Sequence, residues 1–298
     1  MRLTRLHCYN NHLTKLDVSN HLFRKLLYCS VNQLSSLNVQ NTALQTLACY
    51  SNQLTTLDLT DQTSLDHLSC DQNQLKSLDI SNNISLTEFS CGWNALNTLE
   101  ISAHVALKYI GCSGNQITSL DVSKNKFLKS LSCFENQLTT LNVSNNDSLQ
   151  WLVCEKNYLT NLDISNNPAI FYLECDFNQL ATLDLTRNLK LNLLRCSGNQ
   201  LTSLNISMNQ KLIDFDCAGN KLTSLDISKN TNLAVLNCRA NLLTELNISK
   251  NTHLRYLSIE NMPTLFKVCV WGTSLPPEHL SVLTIGSPNY YYSTDCSK

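Results

Sequence analysis

The chain has 298 residues, with 22 lysines and arginines against 23 aspartates and glutamates, and a formal net charge of −1. That balance lacks the basic footprint of a nucleic-acid binder, and no apolar run reaches membrane-spanning length, so neither nucleic-acid binding nor membrane insertion is expected. Seven glycines form no phosphate-cradling loop and seven scattered histidines converge with no serine, cysteine or aspartate set, so no catalysis and no cofactor are expected.

The opening MRLTRLHCYN begins inside a pattern that continues down the chain and has no apolar h-region. An uncovered first coil would expose Leu3, Leu6 and Cys8 and invite self-association through that N-terminal edge. From Cys8 onward the cysteines fall at Cys29, Cys49, Cys70, Cys91, Cys112, Cys133, Cys154, Cys175, Cys196, Cys217 and Cys238. Every step is 21 residues except the 20 from Cys29 to Cys49, where VQNTAL has lost one turn residue relative to ISNNISL. A fixed period of this kind outranks length as a guide to architecture.

The unit LKSLSCFENQLTTLNVSNNDS, starting at Leu128, generalises to LxxLxCxxNxLxxLDxSxNxx. Its halves resemble each other, each an apolar-alternating stretch closed by an Asn turn, which is the pattern of a strand with one buried face. No segment has the spacing of an amphipathic helix. Each coil can bury its leucines only against another coil, so about twelve coils should stack into a solenoid of parallel strands in two stacked faces, on the order of 60 Å long. The array is expected over residues 1–261, with a capping segment at 262–298.

This pattern resembles the 21-residue nested leucine-rich repeat with a cysteine ladder, as in bacterial internalins, and the resemblance runs from residue 3 to about 261. It implies a right-handed leucine-rich-repeat solenoid on a secreted or cell-surface bacterial protein used for adhesion. The chain departs from that family in showing no helical N-terminal cap and no wall-anchoring signal.

Three positions of the repeat form ladders. The cysteine points inward between leucines and packs as a small hydrophobe; parallel stacking sets neighbouring Cβ vectors side by side, so reduced thiols are expected rather than disulfides, and a metal–thiolate chain is the sharper alternative. The Asn three residues later, from Asn11 to Asn241, is expected to satisfy backbone groups of its own and the adjacent coil. The third ladder is acidic: Asp17, Asp58, Asp79, Glu100, Asp121, Asp163, Asp184 and Asp226, interrupted by Asn38, Asn142, Asn205 and Asn247. Such acids either cap their own turns or, stacked, collect calcium.

Repeats that differ from one another reveal where a ligand could be read. The second stretch barely varies, presenting Thr, Ser and Asp. Around each cysteine, however, the outward positions carry Tyr9, Tyr28, Tyr50, Tyr109, Phe134, Trp151, Tyr172 and Tyr256, and the adjoining turns add Trp93, Tyr158 and Phe177. Glu135, Glu155, Glu174, Asp176, Asp214 and Asp216 give the same face an acidic set. Amphipathic rings beside charges have the composition of a binding hot spot, although aromatics also suit exposed strands for their own sake. The candidate binding residues are therefore Trp93, Tyr109, Phe134, Trp151, Tyr172, Glu174, Asp176, Asp214 and Asp216, facing an unknown protein or glycan. The rival expectation is a spacer within a larger secreted protein.

At Ile259 the cysteine is replaced and the repeat breaks at NMPTL. Cys269 and Cys296 stand outside the ladder; a disulfide between them is expected if the protein is secreted, and free thiols if its compartment is reducing.

Overall fold

The computed structural model describes residues 4–22, 24–272, 274 and 276–296, so Leu3 lies outside the described residues. It contains short parallel strands and turns, with no helix among the described residues. The chain divides into two compact units, Met1–Leu149 and Gln150–Lys298.

In the first unit β1 (Arg5–His7), β3 (Leu26–Tyr28), β5 (Thr46–Ala48), β6 (His67–Ser69), β7 (Glu88–Ser90), β8 (Tyr109–Gly111) and β9 (Ser130–Ser132) form one parallel ladder, while β2 (Lys15–Asp17) pairs with β4 (Ser36–Asn38). The second unit continues the pattern with β10 (Trp151–Val153), β11 (Tyr172–Glu174), β12 (Leu193–Arg195), β13 (Asp214–Asp216), β14 (Val235–Asn237), β16 (Tyr256–Ser258) and β18 (Ser281–Leu283). Beside them β15 (Glu245–Asn247), β17 (Lys267–Cys269) and β19 (Tyr291–Ser293) make a three-stranded ladder. Among the described residues the second half of the repeat is thus a paired strand in these five places. Elsewhere it makes no ladder, although the carboxylate or amide at its end binds the backbone two residues on in paired and unpaired coils alike, as at Asp17 and Asp121.

Register follows the repeat: Leu152 pairs with Leu173, Leu173 with Leu194, and Leu194 with Phe215. The apolar positions of each coil are almost completely buried, Leu128, Leu131, Cys133 and Leu138 all at 0% exposure. Each buried leucine contributes about 2 kcal/mol of transfer free energy. In the first coil Leu6 and Cys8 are only half-buried.

The cysteines occupy the centre of this stack as free thiols, all but Cys8 buried. Burial pushes the Cys112 and Cys238 thiols up to about 12, which suppresses the nucleophilic thiolate.

The Asn ladder closes each strand. Asn178 Nδ2 lies 3.0 Å from Cys154 O in the preceding coil and 3.1 Å from Cys175 O in its own, while its Oδ1 accepts the Leu159 N–H at 3.0 Å. The arrangement recurs at Asn52, Asn115, Asn199 and Asn220.

A second amide ladder, present in the consensus but not read from it as structural, runs through the last turn of the repeat. Asn209 Nδ2 donates to Leu185 O at 3.1 Å and Asn188 O at 3.0 Å, and Asn230 and Asn251 repeat the pattern. His104 replaces one such Asn and holds Ile80 O with Nε2 at 3.0 Å. In the shortened coil Thr42 stands in that column, and the longer Gln62 reaches back to its hydroxyl (3.0 Å) and to the Leu44 N–H (3.2 Å). The register Leu27–Leu47 therefore survives the deletion.

The acidic ladder faces solvent. Asp121 Oδ1 accepts the Ser123 N–H at 2.8 Å, and Asp79, Asp163 and Asp226 do the same with the residue two further on. These turn hydrogen bonds hold the carboxyls below their ordinary range.

At the C-terminal end Cys269 and Cys296 are joined by a disulfide, their Cα atoms 5.7 Å apart. The strand ladder itself runs on to β18, where Leu257 pairs with Val282.

Candidate functional site

The first-strand face of the second unit concentrates aromatic and charged side chains. Because β10 and β11 pair Trp151 directly with Tyr172, side chains at that position stand one above the other on the same face. The two rings are stacked, with centroids 3.5 Å apart and planes 9° from parallel. Phe171 meets Trp151 edge-on at 6.0 Å, and both Trp151 and Phe171 remain exposed. Contacts of this kind contribute about 1 kcal/mol beyond buried area and rigidify the rings before any ligand arrives.

A charge network begins where the stack ends. Tyr172 Oη donates to Glu174 Oε1 at 2.6 Å; Arg195 Nη1 reaches the same oxygen at 3.0 Å and its Nη2 lies 3.4 Å from Asp214 Oδ2. Burial, followed by the bond to Glu174, pushes the Tyr172 phenol up to about 12, so it stays a proton donor at any working pH. Arg195 is partly solvated, and each of its pairs is worth no more than about 1 kcal/mol. The function of the network is to fix ring and guanidinium orientation.

The remaining acids divide. Asp216 accepts the Ala218 N–H at 2.9 Å and the Asn237 amide at 2.9 Å. Asp176 is 4% exposed and accepts both the Ser197 N–H and its hydroxyl at 2.6 Å. Coil-to-coil backbone bonds take the N–H of the cysteine and of the residue two after it, as for Cys196 and Gly198. The N–H between them is what Asp176 satisfies; Asp71 does the same for Gly92 in the first unit. Burial raises the Asp176 carboxyl to about 6 against the opposing Ser197 bonds.

The expectation that all the acids point outward is therefore corrected at two positions. Glu174 (9% exposed) and Asp176 are buried supports, not presented groups. Asp214, Trp151 and Tyr172 do lie together on the surface. Tyr109, Phe134 and Trp93 belong to the first unit. There Trp93 and Phe134 meet edge-on at 5.9 Å, and Tyr109 stands exposed beside Ser130.

Sequence reasoning missed Arg195. It lies in register with Glu174 on one side and Asp216 on the other, and an alternation of charge down one column of the repeat was the available signal.

Among the described residues no group of three or more His, Cys, Asp or Glu is placed to hold a metal ion, and no helix is long and apolar enough to cross a membrane.

No family model matches the sequence, and no curated protein matches it either. Solved structures do. The functional domain of InlJ from Listeria monocytogenes, which includes a cysteine ladder, is 31% identical, over 90% of this chain and 73% of that one, with a TM-score of 0.75. The chain belongs to the internalin family of leucine-rich-repeat proteins. A second internalin, InlF from Listeria monocytogenes, aligns with 98% of this chain and 87% of its own at 18% identity and a TM-score of 0.72. YopM, a leucine-rich effector from Yersinia pestis, aligns with 97% of this chain and 88% of its own at 22% identity and a TM-score of 0.71. At those two identities the likeness is one of fold. The internalin array here keeps its ladder of buried cysteines at the centre of each coil, while its variable aromatic and charged residues lie on the strand face.

Proposed function

We propose that this internalin-type array is a secreted or cell-surface bacterial module that binds a protein ligand through the strand face of its second unit. The observation that carries the reading is the preorganised cluster of stacked Trp151 and Tyr172 with Arg195 held between Glu174 and Asp214. Exposed aromatics and arginine are the residue types on which interface energy concentrates, and fixing them in advance lowers the entropy lost on binding. The buried, unreactive thiols assign the cysteine ladder to structure. Adhesion to another cell is the use such a module would serve.

The test is capture of ligands from host-surface and matrix protein extracts by the parent chain and by a Trp151→Ala/Tyr172→Ala variant with unchanged thermal unfolding. Capture by the parent, lost at least about tenfold in the variant, supports the strand-face site. Equal capture by both places the ligand elsewhere, and capture by neither favours a spacer role.

A further inference from the structure

A second concavity lies in the second unit, apart from the aromatic cluster. It encloses about 1000 Å³ and its walls contain Lys211, His253, Arg255 and His279 with no carboxylate. Among the described residues neither cation, Lys211 or Arg255, takes part in an ion pair, nor does either imidazole; of the four side chains His253 alone has a partner, its Nδ1 lying 3.1 Å from Thr231 O. In a chain whose net charge is −1, a lysine, an arginine and two imidazoles around one hollow with no carboxylate in its walls are an uneven placement.

The repeat explains how the hollow is built. Asn192, Ile213, Ala234 and Arg255 occupy the same position in successive coils, four residues before the cysteine column, and Lys211, Asn232 and His253 lie two residues earlier in each coil. The small Ala234 leaves space between Ile213 and Arg255. The wall at one end is not a repeat at all but the Pro276–Leu280 segment, which carries His279. That segment is pinned by the Leu280 N–H on Pro277 O (3.0 Å) and by the Ser281 N–H on Arg255 O (2.9 Å).

The floor offers no backbone edge. Ile213, Ala234, Arg255 and Ser281 each donate their N–H to the residue one coil back, at 2.8–2.9 Å, so a peptide cannot join as an added strand. Only side chains remain for recognition: Lys211 and Arg255 for acidic groups, an apolar base of Ile213 and Ala234, and for hydroxyls the amide oxygens of Asn192 and Asn232, whose Nδ2 atoms already donate to Lys211 O (3.3 Å) and Gln210 O (3.0 Å).

We propose that this groove binds an acidic oligosaccharide, a chain of sugar hydroxyls bearing sulfate or carboxylate groups. It is a site separate from the protein-binding face, with its own side chains. Its cations are solvent-exposed, so binding is salt-sensitive.

Titration calorimetry on the whole chain tests this with a sulfated hexasaccharide, the same hexasaccharide stripped of sulfate but keeping its uronate carboxylates, a neutral hexasaccharide, and a hexaglutamate peptide. The expected result is binding of one or both acidic sugars and not of the neutral one. The preference between the two identifies sulfate or carboxylate as the group read. Affinity should fall at least about fivefold between low and physiological salt, and at least about tenfold in a Lys211→Ala/Arg255→Ala variant that unfolds like the parent. The Trp151→Ala/Tyr172→Ala variant should bind as the parent does, which separates this site from the strand-face reading. The proposal is overturned by equal binding of the neutral sugar, by tighter binding of the peptide, by an unaffected Lys211→Ala/Arg255→Ala variant, or by no binding of either acidic sugar.

Discussion

At the scale of single residues, one amide per coil does work that no apolar residue could. Asn178 reaches carbonyls of two coils and accepts a third group's N–H inside the core, where an unmet polar group costs about 1–3 kcal/mol. Asn178→Ala should therefore destabilise by about 2–4 kcal/mol, several times the effect of an exposed turn substitution such as Asn145→Ala, as read from denaturant unfolding. Asp176 predicts a pH signature of its own. Its folded pKa of about 6 lies above the 3.8 of a free carboxyl, so the native state binds more protons between those values. Its contribution is best below about pH 4 and is lost as pH rises through 6. Asp176→Asn, which keeps an acceptor for Ser197, should remove that slope. It should be more stable than the parent at pH 8 by about 1–2 kcal/mol, up to a limit of about 3 kcal/mol set by the shift. A difference of parent and variant melting profiles from pH 4 to 8 measures it.

At the scale of the element, the turn after each strand is where sequence and geometry disagree most visibly. The residue two after the cysteine is left-handed in coil after coil, with φ of 54° at Val31, 54° at Trp93, 51° at Phe177 and 61° at Gly198. A left-handed β-branched residue costs about 1–2 kcal/mol, and Val31 is exposed with little packing to lose. Val31→Gly should accordingly raise stability by about 0.5–1 kcal/mol in equilibrium unfolding, the relief of strain exceeding the entropy of the added glycine. Trp93 and Phe177 tolerate the position because they lie over the glycine of the next coil. A Cβ at Gly114 would sit 2.6 Å from the Trp93 ring, and one at Gly198 2.6 Å from Phe177. Gly198→Ala should thus cost more than Gly219→Ala, whose nearest neighbour would be 3.5 Å away.

These elements also mark the limit of what the amino-acid sequence discloses. The period, the inward cysteine and the Asn beside it were legible because each is a repeated residue type whose chemistry has one good use in a core. The stacking of Trp151 on Tyr172 followed from their sharing a position. The inward turn of Asp176 was not legible, since an acid beside a cysteine reads as outward until the unclaimed Ser197 N–H is in view. The basic groove was hidden for a different reason. Its end wall is supplied by His279, more than a coil away from Arg255 in the chain and outside the repeat, so no periodic reading could bring them together.

At the scale of the whole molecule, twelve free thiols and one disulfide behave as two chemical classes. With Cys29 through Cys238 buried and Cys8 alone partly exposed, a thiol reagent added to the native chain at pH 8 should modify Cys8 alone at an appreciable rate. The eleven others should appear only on unfolding, in peptide mapping by mass spectrometry. Reducing Cys269–Cys296 should cost about 2–4 kcal/mol, and hydrogen exchange should then rise first in β15, β17 and β19, the ladder that holds one of its cysteines.

The amide ladders have a consequence for how such a protein can change over generations. Each Asn touches only its own coil and the one before it, and the coil shortened by a residue is accommodated by nothing more distant than Gln62. A gene of near-identical segments recombines unequally, and here a gained or lost segment would rejoin amide to carbonyl at the seam without remodelling anything beyond its immediate flanks. Array length is thereby free to drift by whole repeats. A cluster confined to a few coils, such as the aromatic and charged group from Trp151 through Asp214, travels through such events as an intact block, so the length of the array and the make-up of its strand face can change separately.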